Sequence, residues 1–161
     1  MSSNPLQQLA AAAGQALQHK GLLLATAESC TGGGVAQAVT EIAGSSAWFE
    51  CGFVTYSNGS KSAMLGVPAE LIAAHGAVSE EVAAAMACGA LQHSNAKVAL
   101  STTGIAGPGG AVPGKPVGTV CFGWATDAGV QTERHVFDGD RQAVREQAVA
   151  HALQGLLRFI R

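Results

Sequence analysis

Hydrophobic residues along the chain recur at two spacings, one typical of amphipathic helices and one typical of buried strands. Apolar residues at helical spacing follow Asn4-Pro5 and stop at Lys20-Gly21, so a first helix is predicted between these dipeptides. A short apolar run over 21–26 predicts a buried strand, and helical spacing resumes over 35–43. The polar stretch 27–34 is therefore expected where a strand ends and a helix begins.

The rest of the chain continues this alternation. Strands are predicted over 49–56 and 97–102, and a β-hairpin is predicted that pairs 117–126 with 130–137. Helices are predicted over 58–65 and 67–75, and two more begin at 79 and at 140. This order predicts an α/β fold, a single-domain three-layer α/β/α sandwich over residues 1–161 with a mixed, mostly parallel sheet. Ligands of such sheets bind beyond the carboxyl ends of the strands.

Composition and charge narrow the class of protein. Hydrophobic residues make up 48% of the 161 residues and charged residues only 12%, which argues against disorder and predicts a homodimer or higher homo-oligomer. The net charge of −2 gives no electrostatic basis for binding nucleic acid. No apolar run reaches the roughly 20 residues of a membrane span, and no export signal is recognised, so a cytoplasmic protein without a membrane partner is expected.

The spacing of cysteines and histidines indicates neither a redox motif nor a metal site. The four cysteines show no CxxC spacing and are predicted to be reduced: Cys30, Cys51, Cys88 and Cys121. The five histidines lie far apart in the sequence: His19, His75, His93, His135 and His151. Because none has the spacing of a ligand pair, no metal site is expected.

The stretch 27–34, Ala-Glu-Ser-Cys-Thr-Gly-Gly-Gly, is the first candidate for chemistry. Amides at a helix start lack partners within the helix, so Ser29 there faces donors suited to a phosphate or an oxyanion. The simpler interpretation is that its serine and threonine only cap the helix, which contributes about 1 kcal/mol. The stretch matches neither the Gly-x-Ser-x-Gly elbow nor a P-loop.

A serine nucleophile needs a base, and no histidine is placed by sequence to serve Ser29. Lys61 is the candidate, provided that burial lowers the pKa of its amine. Tyr56 ends a predicted strand and is expected to pass the proton between them or to hold Ser29 in position. The alternative is a solvated Lys61 and an edge aromatic at Tyr56. Glu28 either orients Lys61 or a sugar hydroxyl, or bonds nearby amides.

Two further features are candidates for binding an anion. The glycine-rich loop after Thr103 offers either a backbone cradle or an ordinary mobile loop. Arg141 and Arg145, one turn apart on the last helix, either clamp a phosphate or form surface ion pairs. Because Ser29, Tyr56 and the Thr103 loop all follow strand ends, one shared site is favoured.

Six motifs, in order along nearly the whole chain, resemble the CinA C-terminal-domain family. They are Ala27-Glu28-Ser29-Cys30-Thr31-Gly32-Gly33, Gly44-Ser45-Ser46, Gly52-Phe53-Val54-Thr55-Tyr56-Ser57-Asn58 with Lys61, Gly76-Ala77-Val78-Ser79, Thr103-Gly104-Ile105-Ala106-Gly107-Pro108 and Lys115-Pro116-Val117-Gly118-Thr119-Val120. Stand-alone members of this family are bacterial nicotinamide-nucleotide amidases. The resemblance implies hydrolysis of the carboxamide of nicotinamide mononucleotide to nicotinic acid mononucleotide and ammonia, with no metal or organic cofactor.

The resemblance also implies roles for individual residues toward a small-molecule pyridine nucleotide. Ser29 would be the nucleophile, and Tyr56 and Lys61 the pair that handles its proton. The expected substrate-binding residues are Glu28, Cys30, Thr31, Gly32, Gly33, Asn58, Thr103, Gly104, Arg141 and Arg145. Gly109 and Ala111 depart from the family pattern in the glycine-rich loop.

Three other classes of protein are alternatives to an amidase. A non-catalytic nucleotide-binding module would use Ser29 and the glycines only to hold phosphate. An interaction domain linked to competence and DNA damage is disfavoured by the acidic charge balance. The Tyr-x-x-x-Lys pair of short-chain dehydrogenases is not matched, because Tyr56 and Lys61 are one residue too far apart.

Overall fold

A computed structural model describes residues 4–161, which form one five-stranded sheet in the order β2-β1-β3-β4-β5. The strands are β1 (Leu24–Glu28), β2 (Phe49–Val54), β3 (Val98–Gly104), β4 (Thr119–Thr126) and β5 (Gly129–Val136). Strand β1 pairs in parallel with β2 and β3, whereas β4 pairs antiparallel with both β3 and β5. Four of the five strands therefore run in one direction, and the predicted mixed, mostly parallel sheet is confirmed.

Helices begin and end close to the predicted capping residues. They are α1 (Pro5–Lys20), α2 (Gly34–Thr40), α3 (Asn58–Leu65), α4 (Ala69–His75), α5 (Glu80–Gln92) and α6 (Arg141–Ile160), with a short 3-10 helix at Ser45–Ala47. Asn4, Ser57, Ser79 and Asp140 each cap the following helix with a side-chain oxygen, as expected for N-cap residues. None of these helices, within residues 4–161, is long and apolar enough to cross a membrane.

The two faces of the sheet carry separate hydrophobic cores. One core lies under α1, α2 and α6 and includes Leu17, Phe122 and Leu153. The other lies under α3, α4 and α5 and includes Leu65 and Met86. Helices on both faces of one sheet make the predicted three-layer α/β/α sandwich, which is confirmed.

Strand boundaries differ from the prediction where polar residues are buried. The strand predicted over 21–26 begins at Leu24, where pairing to both neighbours starts, and it continues through Glu28. Likewise β3 runs on to Gly104, which pairs with Val120 of β4. Both extensions carry polar residues that a hydrophobic pattern does not assign to a buried strand. Their effect is to bring the carboxyl ends of β1, β2 and β3 to one edge of the sheet.

Candidate active site

The hydroxyl of Ser29, just after β1, meets the amine of Lys61, in the first half of α3. Lys61 Nζ lies 3.1 Å from Ser29 Oγ, 3.0 Å from the carbonyl oxygen of Thr55 and 3.3 Å from that of Tyr56. The Lys61 residue is only 1% exposed and Ser29 only 7%. The structure therefore brings these two predicted residues together and buries the lysine, as a basic role requires.

The surroundings of Lys61 favour the neutral amine. No Asp or Glu oxygen within residues 4–161 lies within 4.0 Å of Nζ. Burial lowers the pKa of Lys61 below its ordinary value of 10.5, and the nearby thiol of Cys30 opposes this shift only in part. Lys61 is also the fourth residue of α3, where the helix dipole disfavours a positive charge.

The three neighbours of Nζ fit the bonding pattern of a neutral amine. Such an amine has two N–H groups and one lone pair. The Lys61 amine lies within donating distance of Ser29 Oγ and of the carbonyl oxygens of Thr55 and Tyr56, and the Ser29 hydroxyl lies 3.5 Å from the Tyr56 carbonyl oxygen. With the two N–H groups of a neutral amine on the carbonyl oxygens, the lone pair would face the Ser29 hydroxyl. This is the geometry of a general base in contact with its nucleophile.

The side chain of Tyr56 does not lie between Ser29 and Lys61. Its phenol is at the rim of the site, where Tyr56 is 61% exposed and its hydroxyl oxygen accepts a hydrogen bond from Arg141 at 3.1 Å. Arg141 also donates to the carbonyl oxygen of Gly107 at 2.8 Å. The expectation that the phenol passes the proton is therefore corrected: Lys61 contacts Ser29 directly, and Tyr56 supplies its main-chain carbonyl to the pair.

Glu28 is fully buried, and its carboxylate binds the start of α2. It accepts hydrogen bonds from the amides of Val35 at 2.9 Å and Ala36 at 3.0 Å, and from the hydroxyl of Thr31 at 2.5 Å. Of the predicted alternatives, the structure selects bonding to nearby amides, and neither Lys61 nor the cavity is contacted. The expectation that this helix start offers free donors to an anion is wrong, because Glu28 occupies them.

The residues after Ser29 form a tight turn rather than a binding surface. Gly32 and Gly33 have φ angles of 60° and 99°, a region that residues with a Cβ rarely adopt. The hydroxyl of Thr31 is 2.8 Å from that of Thr102 and is buried. Arg145 donates to the carbonyl oxygens of Cys30, at 3.1 Å, and Thr31, at 3.3 Å. Arg145 and both glycines thus build the turn and do not line the cavity at Ser29.

The turn leaves two amides available beside the nucleophile. The amide of Ser29 donates to the carbonyl oxygen of Thr102 at 3.0 Å. The amides of Cys30 and Thr31, by contrast, find no acceptor in another residue of the described range. Main-chain amides beside a hydroxyl at the wall of a cavity are donors of the kind that an oxyanion hole uses.

The thiol of Cys30 is not a competing nucleophile. Its side chain belongs to the core under α1, α2 and α6, and the residue is 6% exposed. Burial raises the pKa of this thiol to about 12, so the reactive thiolate is scarce at neutral pH. Of the two side chains, only the Ser29 hydroxyl is in contact with a basic group.

Ser29 and Lys61 line a small cavity of about 200 Å³. The remaining lining residues are Cys30, Tyr56, Asn58, Ala77, Val78, Thr103, Gly104, Ala106 and Arg141. A second cavity of about 460 Å³ shares Ala106 and Arg141 with it and reaches the start of α6. Of the predicted substrate-binding residues, the structure thus gathers Cys30, Asn58, Thr103, Gly104 and Arg141 around the pair.

A larger cavity of about 700 Å³ lies at the opposite edge of the sheet. Leu22 and Lys97, which precede β1 and β3, line it together with Cys88. Burial raises the pKa of the Cys88 thiol, and no hydrogen bond joins this thiol to Lys97 or Asp127, which also line the cavity. This cavity therefore lacks the pairing of nucleophile and base found at Ser29.

Three titratable residues come together that the sequence did not indicate. The ligand atoms of Glu133, His135 and His151 all lie within 4.8 Å of one another. The histidines were expected to lie too far apart to form a cluster. This is wrong for His135 and His151, because α6 packs His151 beside β5. One signal was available: residues 133 and 135 alternate onto the same face of a predicted strand.

Known proteins match this chain in fold and over nearly its whole length. The family model of the CinA C-terminal domain matches residues 6–160. The nicotinamide-nucleotide amidohydrolase PncC of Escherichia coli K12 is 57% identical over 157 residues, covering 97% of this chain and 95% of that protein. PncC of Pseudomonas putida is 52% identical, with coverage of 97% and 98%. The crystal structure of the competence/damage inducible protein CihA from Agrobacterium tumefaciens matches with a TM-score of 0.94 at 44% identity, over 100% of both chains.

Proposed function

Because the chain belongs to the CinA C-terminal domain family, we propose that it hydrolyses the carboxamide of nicotinamide mononucleotide, giving nicotinic acid mononucleotide and ammonia. Relatives that carry the name nicotinamide-nucleotide amidohydrolase align along almost their whole length, which supports this activity. The observation that carries the proposal is the buried Lys61 amine, 3.1 Å from the Ser29 hydroxyl at the wall of a small cavity. A serine with a lysine base is a known solution to acyl transfer.

The reaction begins when the lone pair of Lys61 takes the hydroxyl proton of Ser29. Ser29 Oγ attacks the carboxamide carbon, and the amide of Cys30, a residue that lines the cavity, stabilises the oxyanion. The new ammonium of Lys61 keeps two N–H groups on the carbonyl oxygens of Thr55 and Tyr56 and gives the third proton to the departing nitrogen. The C–N bond then breaks, ammonia leaves, and the acyl group remains as an ester on Ser29.

Water completes the cycle at the same pair. The amine of Lys61, neutral again after protonating the leaving group, takes a proton from water as the water oxygen attacks the ester carbon. Collapse of the second tetrahedral intermediate breaks the ester bond and returns the proton to Ser29 Oγ. The product leaves as a carboxylic acid and gives its proton to the released ammonia, so the final products are a carboxylate and ammonium. The enzyme regains its starting protonation state, and the cycle uses neither a metal nor an organic cofactor.

The substrate is oriented by the residues that remain around the cavity. The pyridine ring with its carboxamide occupies the space near Ser29, bounded by Asn58, Thr103 and Gly104. The ribose phosphate extends past Tyr56 toward the second cavity, where Arg141 stands at the shared boundary. Arg141 presents a fork of donors to the phosphate, whereas Arg145 serves the turn.

An ammonia-release assay tests the proposal. Nicotinamide mononucleotide is offered to the purified chain, with nicotinamide riboside and NAD as comparison substrates, and Ser29→Ala is the matched control. Ammonia from the mononucleotide with the wild type, and none with the variant, is expected. Mass spectrometry during turnover should find the chain heavier by the mononucleotide less ammonia. Mononucleotide binding without ammonia release would instead support the non-catalytic nucleotide-binding module.

We further infer a single cytoplasmic domain over 1–161 that works as a homo-oligomer. Large apolar side chains are exposed on β2 and α3, with Val54 46% exposed and Met64 42%, and a second copy would cover them. All four cysteines are free, as expected in a reducing compartment. Light scattering coupled to size exclusion tests the oligomer, and a monomer at micromolar concentration would contradict it.

A further inference from the structure

We propose that Glu133, His135 and His151 form a binding site for a divalent transition-metal ion of the zinc and cobalt class, which links β5 to α6. This site is separate from the proposed amidase chemistry. His151 follows Arg141 by ten residues, about 15 Å along the axis of α6. The ion would therefore act on the packing of a helix whose first turns serve the active site.

The three side chains already converge on one point. His135 Nε2 lies 2.9 Å from Glu133 Oε1, and His151 Nε2 lies 2.8 Å from the same oxygen. Residues 133 and 135 share a face of β5, and His151 reaches them from α6. Both ring nitrogens that face the carboxylate are Nε2 atoms, which are common metal donors.

Two of the three separations between ligand atoms are already close to those of a coordination sphere, and the third is within 4.8 Å. Zinc binds imidazole nitrogen and carboxylate oxygen at about 2.0–2.1 Å, so neighbouring ligand atoms of a tetrahedral site stand about 3.3 Å apart. The observed separations of 2.8 and 2.9 Å need to widen by about 0.5 Å, which small side-chain rotations supply. Each imidazole would then carry its proton on Nδ1 and remain neutral.

Surrounding side chains hold the three ligands in place. Arg158 donates to Glu133 Oε2 at 3.2 Å, so Oε1 is bonded only by the two imidazoles, which an ion would bind together with it. Phe137 stacks on His135 with centroids 5.9 Å apart, and the Phe122 ring lies 4.7 Å from that of His151. A carboxylate fixed by an outer hydrogen bond and imidazoles held by aromatic rings resemble the second shell of a metal centre.

Access and ligand chemistry select the class of ion. The side chains of His135 and Glu133 are 40% and 36% exposed, so an ion reaches the site from solvent and keeps an outward position for water. The His151 side chain is 14% exposed and forms the inner wall. Two imidazoles with one carboxylate suit zinc, cobalt and nickel, whereas magnesium and calcium require oxygen donors.

Zinc titration of the untagged chain by calorimetry tests the site. We expect one Zn²⁺ per chain with the wild type, and at least about tenfold weaker binding after either His135→Gln or His151→Gln. His75→Gln is the matched control, because His75 also lies beside a carboxylate, Glu81 at 3.4 Å, but has no second histidine there. Its zinc affinity should equal that of the wild type.

Two further readouts keep the test independent of amidase activity. Zn²⁺ should raise the melting temperature of the wild type and of His75→Gln but not of His151→Gln. Co²⁺ should give visible absorption bands that His151→Gln lacks, and circular dichroism checks that each variant is folded. Failure of the wild type to bind Zn²⁺, or a zinc affinity in both cluster variants equal to that of the wild type, overturns the proposal and leaves an ion-pair network around Glu133.

Discussion

Lys61→Met tests the centre of the mechanism, because it removes the amine and keeps the length and apolar character of a buried side chain. The amine lies 3.1 Å from Ser29 Oγ, and among residues 4–161 no other base contacts that hydroxyl. A general base contributes about 10²–10⁴-fold, and its loss also leaves the nucleophile protonated. We expect kcat/KM to fall by at least about 10³-fold, equivalent to about 4 kcal/mol of transition-state stabilisation.

The ammonia-release assay measures this loss, and a double-mutant cycle with Ser29→Ala measures the coupling. Residues that act as one unit are not additive, so Lys61→Met with Ser29→Ala should be no slower than Ser29→Ala alone. Calorimetry with the mononucleotide should give a Kd within about threefold of the wild type if only chemistry is lost. Retention of more than about one tenth of kcat, or two fully additive losses, would refute the assignment of Lys61 as the base.

The same substitution has a pH signature with a definite sign. Because burial lowers the pKa of Lys61, kcat/KM should rise with pH and reach its plateau below the 10.5 expected for an ordinary lysine. Between the lowered pKa and 10.5 the unfolded chain binds more protons than the folded one. The free energy of unfolding of the wild type relative to Lys61→Met should therefore rise with pH in that window, by at most about 1.4 kcal/mol per unit. Urea denaturation at several pH values measures it, and a constant difference would contradict the burial argument.

The other residues of the site give three shorter predictions. Glu28→Gln should lower the free energy of unfolding by about 2–3 kcal/mol in urea denaturation, because an amide group meets donors where a carboxylate accepted. Arg141→Gln should raise KM about tenfold with little change in kcat. Arg145→Gln should instead lower the melting temperature and kcat together, because it loosens the turn after Ser29. Equal effects of the two variants on KM would contradict these separate roles. Cys30→Ala should keep kcat within about threefold, and iodoacetamide at pH 7 should not inactivate the wild type, because burial raises the pKa of that thiol to about 12.

Capping residues and hydrophobic periods were sufficient to predict most elements. Ser57 and Ser79 cap the helices that the sequence assigned to them, because N-capping is a contact with a residue three positions away. The meeting of Ser29 and Lys61 was also predictable in outline, since carboxyl ends of parallel strands meet at one edge. The direction of the Tyr56 side chain was not, because backbone conformation at a strand end does not fix where a side chain points.

The errors concern contacts that depend on tertiary packing. Glu28 accepts hydrogen bonds from the amides of Val35 and Ala36, seven and eight residues later. This contact depends on the turn at Gly32 and Gly33, which separates β1 from α2. His151 and Glu133 are 18 residues apart and meet because α6 folds back across the hairpin. Neither separation matches a local period, so no pattern along the chain indicates these pairs.

The turn between β1 and α2 explains why the buried side chains of Lys61 and Glu28 do not form an ion pair. Glu28 receives two amides of α2 and the Thr31 hydroxyl, so its negative charge is compensated by a helix start and not by Lys61. A carboxylate against Nζ would raise the pKa of Lys61 and hold it as an ammonium, which cannot accept the Ser29 proton. Lys61 instead has only uncharged carbonyl oxygens and the Ser29 hydroxyl as partners, and its pKa falls. Capping of α2 by Glu28 is therefore a condition for the basicity of Lys61, although the two side chains do not touch.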